Sequence, residues 1–155
     1  MTIRGARRAA FADIRPRLGL VHGVRVVVDT NVIVAALLTP GRTPERCLDA
    51  LRARGATVLV DERVIAEYRA VVARPKFKAV DPVRASAMVE SIVAAAERVE
   101  VTAYSGPMVD GDDRAFVEVA LAGRADAIVT GNAKHFPREL EVAVLSPAEA
   151  LARWG

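Results

Sequence analysis

The stretch Val24–Leu38, which reads VRVVVDTNVIVAALL, constrains the fold of this 155-residue chain more than any other part of it. It begins with a largely β-branched run, Val24–Val28, without the polar alternation of a half-exposed strand; this is typical of a central parallel strand covered on both faces. The pattern then becomes helical and ends before a Pro-Gly breaker. Between the two patterns stand Asp29, Thr30 and Asn31, and an acid bordered by apolar runs must be partnered, capped or metal-bound to offset its desolvation. We therefore predict a buried strand that delivers a carboxylate to the start of a helix.

Strand and helix patterns alternate along the rest of the chain, which predicts one α/β domain with three α/β/α layers around a mainly parallel sheet of about five strands. The predicted strands are Val24–Val28, Thr57–Val60, Val99–Val101, Ala125–Thr130 and Glu141–Leu145. The predicted helices begin at Asn31, Thr43, Asp61, Asp81, Asp112 or Asp113, and Ser146. We expect the helix from Asp81 to run to about Arg98 and residues 104–111, which contain Gly and Pro, to form a loop.

Positive charge is concentrated near the N-terminus. Residues 1–25 contain six arginines and one acid, Asp13, whereas the remainder is close to neutral. We interpret residues 1–23 as a basic extension, either a disordered or loosely docked leader or the product of an upstream start, and residues 24–155 as the folded domain. The extension could also hold nucleic acid through its phosphates. It lacks the apolar segment of a signal peptide and no later run is long enough to span a membrane, so we expect a soluble, cytoplasmic protein.

Cysteine and histidine suggest little chemistry. The single cysteine, Cys47, excludes a disulfide within the chain and a Cys-based zinc site, and its helical setting is typical of a small buried side chain. The two histidines, His22 and His135, are far apart and lack metal-ligand spacing. We therefore do not expect either histidine to be a ligand or a catalytic group.

Acidic and amide side chains follow several of the predicted strands. Asp29 comes directly after the first strand, Asn132 just past the fourth, and Glu67 lies in the helix after the second. Ligands of open parallel sheets bind beyond the carboxyl ends of the strands, so these side chains should share one edge. Three further acids precede the fourth strand, namely Asp110, Asp112 and Asp113. Capping is the default role of such an acid, but clustered carboxylates repel unless a cation lies among them, and a hard divalent cation resolves this most simply.

Three segments, in order and at suitable spacing, resemble the PIN domain family: VVVDTNVIVAALL, VDERVIAEYRAVVARPKF and DGDDRAFVEVALAGRADAIVTGNAKHF. The resemblance covers residues 24–151 and is greatest to a bacterial subgroup of toxin components of toxin–antitoxin systems, relatives of the VapC-type ribonucleases. It implies an endoribonuclease that hydrolyses RNA with Mg²⁺ or Mn²⁺ as cofactor. It also implies an antitoxin partner and a homodimer.

The resemblance also implies which acids carry the chemistry. Three family acids fall on Asp29, Glu67 and Asp113, which are thereby implied to be catalytic and to bind the metal ion. The fourth falls on Asn132; this is a departure, because an amide keeps an oxygen ligand but removes a negative charge. Asp112 and Asp110 are near enough in sequence to compensate. Otherwise the site holds one metal ion or is degenerate.

Supporting roles fall on neighbouring residues. Thr30 and Asn31 are implied to order the turn around Asp29, and Thr130 to support the site through its hydroxyl. Because the acids hold metal, RNA must be held by other groups. The candidates are the basic extension and Arg74, Lys76, Lys78 and Lys134, each of which could equally be a solvated surface charge.

Two other classes of protein stay open. The first is a haloacid-dehalogenase-like phosphatase with Asp29 as nucleophile, although such enzymes usually have a second Asp two residues later, where this chain has Asn31. The second is a catalytically weak or inactive RNA-binding module, or one sequestered by an antitoxin, for which Asn132 is the best argument.

Overall fold

Buried β-branched residues build a five-stranded sheet in the part of the chain that the computed structural model describes, residues 23–74, 80–108 and 111–155. The strands are β1 (Arg25–Val28), β2 (Thr57–Val60), β3 (Glu97–Arg98), β4 (Ala127–Val129) and β5 (Ala143–Leu145). Their spatial order is β3-β2-β1-β4-β5 and all pairings are parallel. The central strand β1 carries three fully buried valines, as expected for a strand covered on both faces. The structure thus confirms the predicted three-layer α/β/α fold.

Six α-helices in the described ranges cover this sheet. They are α1 (Thr30–Leu38), α2 (Thr43–Ala53), α3 (Glu62–Val72), α4 (Pro82–Ala95), α5 (Arg114–Ala122) and α6 (Pro147–Trp154). Helix α2 packs against α1 and α6, α3 packs against α1 and α4, and α5 lies against β1, β2 and β4. Two 3₁₀ turns, Gly111–Asp113 and Ala133–His135, flank the segment that contains α5 and β4.

Several helix starts agree with their sequence signals. The Asp61 carboxylate accepts from the Val64 backbone N–H, and Ser146 and Glu149 form the reciprocal capping box. Asp112 does not cap α5, because it lies inside the preceding 3₁₀ turn, and Asp113 occupies the N-cap position without a side-chain capping bond.

The third strand differs from the prediction. We expected a strand at Val99–Val101 after a long helix, but α4 ends at Ala95 and β3 is Glu97–Arg98. Its two charged residues are held by ion pairs, since Glu97 bonds Arg25 of β1 at 3.0 Å and Arg98 bonds Glu62 at 2.8 Å. An edge strand built on such pairs has no apolar periodicity for sequence reasoning to detect.

Some predictions fall outside the described residues. These include residues 1–22 of the basic extension and three candidate site residues, Asp110, Lys76 and Lys78. The boundary between the extension and the domain therefore stays a prediction. Across the described ranges, no helix combines the length and the apolar character that a membrane crossing requires.

Candidate active site

The parallel pairing of β1 and β4 brings Asp29 and Thr130 together at the carboxyl edge of the sheet. Val28 of β1 is paired with Val129 of β4, so the residues that follow these strands are neighbours. The Thr130 hydroxyl donates to Asp29 Oδ2 at 2.7 Å, and the Asn31 backbone N–H donates to Asp29 Oδ1 at 3.3 Å. Both carboxylate oxygens are therefore oriented by bonds from fixed elements.

A second set of bonds ties the loop after β4 to the start of α1. The Asn31 side-chain oxygen accepts from the Gly131 backbone N–H at 3.0 Å, and the Asn132 N–H donates to the Thr130 hydroxyl oxygen at 3.0 Å. Asn132 thus lies at the edge that carries Asp29, and its own residue surface is exposed.

Thr30 behaves differently from its neighbours. Its side chain is buried, and its hydroxyl oxygen has no hydrogen-bond partner among the described residues. The recorded side-chain bond across this turn comes from Asn31, and the ordering role of the Thr30 hydroxyl stays a prediction. A buried hydroxyl without a partner, adjacent to Asp29 in the chain, is a polar atom that a bound water or ligand could satisfy.

The charge of Asp29 is poorly compensated. The residue is buried, and burial raises the pKa of its carboxyl above the ordinary value of 3.8. Bonds from Thr130 and Asn31 and the charge of His135 act in the opposite direction without cancelling this effect. Within the described ranges, no lysine or arginine forms an ion pair with Asp29. A desolvated carboxylate without a cation is an arrangement that a metal ion would relieve.

His135 lies beside Asp113 and acts on Asp29 through its charge. Its Nδ1 is 3.9 Å from Asp113 Oδ2, and its charge lowers the pKa of Asp29. The 3₁₀ turn positions it, because its backbone N–H donates to the Asn132 carbonyl oxygen at 2.9 Å. Sequence reasoning did not assign His135 to the site. The only signal was its position one 3₁₀ turn beyond Asn132, which puts both residues on one side of that turn.

Helix α3 reaches the site through Tyr68. The buried Tyr68 hydroxyl donates to the Val28 carbonyl oxygen at 2.6 Å, and burial together with the charge of Asp29 raises the Tyr68 pKa. Glu67 precedes this anchor and is exposed. Among the described residues Glu67 makes no hydrogen bond or ion pair, so it is near the edge but is not drawn into the network around Asp29.

The donor chemistry fits a hard divalent cation. Across the described ranges, no three His, Cys, Asp or Glu side chains gather closely enough to hold a metal ion by themselves. Mg²⁺, however, is usually bound by one or two carboxylates together with waters and substrate phosphates. Asp29 is a carboxylate of that kind, and its uncompensated charge and the unpartnered Thr30 hydroxyl agree with a cation nearby.

Two of the RNA-binding candidates fall in the described ranges. Arg74 is exposed just after α3, and Lys134 is exposed in the turn that carries His135. Lys134 also lines an open groove of about 1030 Å³ that includes Arg138 and residues of β5. Glu139 and Glu141 line the same groove, so its charge is mixed.

Two solved structures have the same fold as this chain. The crystal structure of VapBC2 from Rickettsia felis, bound to a DNA fragment from their promoter, is 17% identical with a TM-score of 0.57 and covers 79% of this chain and 98% of that chain. The crystal structure of PAE2754 from Pyrobaculum aerophilum is 16% identical with a TM-score of 0.51 and covers 84% of this chain and 89% of that chain. At these identities the likeness shows the fold alone.

The sequence itself matches the PIN domain model over residues 25–134, from the start of β1 to the turn that contains Lys134. No curated protein shows a significant match. PIN domains are generally nucleases that use divalent metal ions. Because the match spans well over half of the chain and includes the whole edge around Asp29, the protein belongs to the PIN domain family.

Proposed function

We propose that this protein is a metal-dependent endoribonuclease that hydrolyses phosphodiester bonds in RNA. The observation that carries the proposal is the buried Asp29 carboxylate, which Thr130 and Asn31 orient and which no arginine or lysine in the described ranges neutralises. Strongly desolvated acids at the carboxyl edge of a parallel sheet are candidate functional groups. Membership of a family of nucleases supports the same assignment.

The proposed metal ion is Mg²⁺ or Mn²⁺, and Asp29, Glu67 and Asp113 would hold it. Further candidate ligands are Asp112, Asp110 and Asn132. When bound, the ion supplies an activated water and polarises the scissile phosphate. Hydrolysis would leave a 3′-hydroxyl and a 5′-phosphate.

The chain's own side chains prepare this site. Thr130 and the Asn31 N–H hold the Asp29 oxygens in one orientation, so little reorganisation is needed when a ligand arrives. His135 lies 3.9 Å from Asp113, and its charge lowers the pKa of Asp29. Arg74, Lys76, Lys78 and Lys134 are the proposed phosphate contacts.

We also propose that the protein is the toxin of a type II toxin–antitoxin pair, acts in the cytoplasm and binds a cognate antitoxin and a second copy of itself. Support comes from the likeness in fold to the VapBC2 structure. Expression of this chain should stop growth, and co-expression of the protein encoded by the adjacent gene should restore it. Growth unaffected by the chain alone would contradict the toxin role.

The decisive experiment incubates the purified protein with structured and unstructured RNAs in Mg²⁺, Mn²⁺ or EDTA. We expect cleavage with either ion and none in EDTA. Asp29→Asn should lower the rate on the order of 10²–10³-fold, the usual loss when one group that stabilises the transition state is removed. Asp49→Asn on the exposed side of α2 is the matched control and should cleave normally. Cleavage that survives EDTA or Asp29→Asn would overturn the mechanism.

The catalytically weak or inactive RNA-binding module is the second candidate. It is favoured by Asn132 in place of an acid and by the lack of a three-ligand group in the described ranges. RNA binding without cleavage by the wild-type protein would support it. Hydrolysis of phosphate monoesters in the same preparation tests the phosphatase alternative, in which Asp29 is the nucleophile.

A further inference from the structure

Glu118 is a buried carboxylate outside the group of acids discussed above. It lies on α5, and both of its oxygens are engaged. Oε1 accepts from Arg63 Nη1 at 2.7 Å, and Oε2 accepts from the Tyr104 backbone N–H at 2.8 Å. Burial raises the pKa of Glu118, but these bonds and the charges of Arg63 and Arg114 more than offset it, so the pKa lies below 4.5 and the side chain is ionised at neutral pH.

One partner of Glu118 lies on a helix that carries a candidate metal ligand, and the other contacts the residue next to one. Arg63 lies in the first turn of α3, the helix of Glu67, and is itself oriented by Asp61 at 2.7 Å. Tyr104 lies in the irregular segment that leads toward Asp113. One carboxylate therefore joins α3, α5 and the approach to Asp113.

The segment around Tyr104 depends on side-chain contacts because it has no regular structure. The Tyr104 hydroxyl donates to the Pro107 carbonyl oxygen at 2.9 Å, which closes the segment on itself. Arg114, the residue directly after Asp113, donates to the Tyr104 carbonyl oxygen and places its guanidinium 5.7 Å from the centre of the Tyr104 ring. Tyr104 is thus fixed by Glu118 on one side and by Arg114 on the other.

We propose that Glu118 is a positioning residue of the nuclease site, which holds the Tyr104 segment and α3 together and so sets the place of Asp113 relative to Glu67 of α3. The proposal rests on the proposed metal-dependent function. Glu118 does not touch the metal ion or the RNA, and it acts through Tyr104 and Arg63. Groups that orient metal ligands in this way typically affect metal affinity by about 10–100-fold.

The test compares Glu118→Gln with Glu90→Gln. Both substitutions remove a glutamate paired with an arginine of α3, but the Arg69–Glu90 pair is exposed and joins α3 to α4 instead of to the Tyr104 segment. Mn²⁺ affinity is measured by calorimetry without RNA, and hydrogen exchange at the Tyr104 N–H is measured without metal. We expect Glu118→Gln to weaken Mn²⁺ binding about tenfold and to speed exchange at Tyr104, with kcat preserved at saturating metal. Glu90→Gln should change neither measurement.

Arg63→Gln is the second variant in case Glu118→Gln does not fold. Arg63 is half exposed and its loss leaves the Tyr104 bond in place, so a smaller loss of Mn²⁺ affinity is expected. If the folded variants bind Mn²⁺ as the wild type does, the positioning role is wrong while the nuclease proposal stands. If Mn²⁺ affinity falls as expected but the wild type cleaves no RNA, the nuclease proposal is wrong while the positioning role stands. A wild type that binds no Mn²⁺ overturns both.

Discussion

Asp29 and Glu118 are buried to nearly the same degree, at 6% and 4% exposed, yet their pKa values move in opposite directions. Burial raises the pKa of both carboxyls. At Glu118 a backbone N–H, Arg63 and Arg114 reverse that effect, whereas at Asp29 a hydroxyl, backbone N–H groups and the more distant His135 do not. Glu118 has the cations Arg63 and Arg114 beside it, whereas no arginine or lysine of the described ranges pairs with Asp29.

This difference assigns different roles to the two regions. Glu118 is compensated within the chain and contributes to the fold, because each of its oxygens satisfies a donor that would otherwise lose its partner. Asp29 is ionised at neutral pH only at a cost to stability, which is typical of a group retained for function. The comparison predicts that a divalent cation does for Asp29 what Arg63 does for Glu118.

The largest expected effect is stabilisation of the wild-type protein by metal. A ligand at 100 times its Kd that binds only the folded state adds about 2.7 kcal/mol to the free energy of unfolding. Mg²⁺ should therefore raise the wild-type melting temperature, as followed by circular dichroism, and Asp29→Asn should abolish most of the shift. Asp49→Asn is again the control. An equal shift in Asp29→Asn would show that Mg²⁺ binds elsewhere.

Glu118→Gln should destabilise the fold by about 2 kcal/mol. Hydrogen bonds to charged groups typically contribute about 1.5–3 kcal/mol, and the amide cannot accept from both Arg63 and the Tyr104 N–H as the carboxylate does. Urea unfolding at neutral pH without metal measures the loss, with Glu90→Gln as the exposed counterpart. If Glu118→Gln lowered the free energy of unfolding no more than Glu90→Gln does, Glu118 would not have the structural role assigned to it here.

Asp29→Asn should have the opposite sign and stabilise the metal-free fold by about 1 kcal/mol, a common gain when a strained functional group is replaced. The amide keeps an oxygen to accept from the Asn31 N–H and carries no charge to desolvate. The same urea experiment measures the change. Destabilisation similar to that of Glu118→Gln would mean that the two acids have the same structural role.

The sequence predicted that Asp29 lies at the carboxyl edge of a parallel sheet. Asp29 and Thr130 each follow a buried strand of a parallel sheet, and pairing alone brings such residues to one edge. Asn31 was assigned to the turn, where it bonds Gly131, although the Thr30 hydroxyl assigned with it has no described partner. The alternation of strands and helices therefore located the edge, and the family resemblance assigned Asn31 and Thr130 to it.

The contacts of Glu118 could not be predicted from the sequence in the same way. Glu118 lies in the apolar pattern FVEVAL, and its partners are 55 and 14 residues away on elements whose packing the pattern does not determine. His135 was not assigned to the site either, because the short 3₁₀ turn that positions it was not predicted from the sequence pattern. The charged strand β3 was misplaced because its ion pairs replace apolar periodicity. Glu67 was assigned from family resemblance, and its role stays a proposal.

The smallest expected effect is the pH dependence of the stability changes caused by Glu118→Gln and Asp29→Asn. The sign of that dependence distinguishes the two acids most directly. The folded pKa of Glu118 is lowered, so the stability that it contributes is present above about pH 4.5 and is lost as the pH falls through the folded value. The advantage of wild type over Glu118→Gln should therefore shrink in acid.

The folded pKa of Asp29 is raised, so its protonated form contributes stability below pH 3.8 that is lost as the pH rises through the folded value. The advantage of Asp29→Asn over wild type should therefore grow toward neutral pH. Urea unfolding in EDTA at pH values from roughly 3.5 to 7 measures both differences. If the stability of Asp29→Asn relative to wild type instead fell toward neutral pH, as that of Glu118→Gln should, Asp29 would have a compensating partner within the chain. The Asp29 charge would then no longer argue for a metal ion.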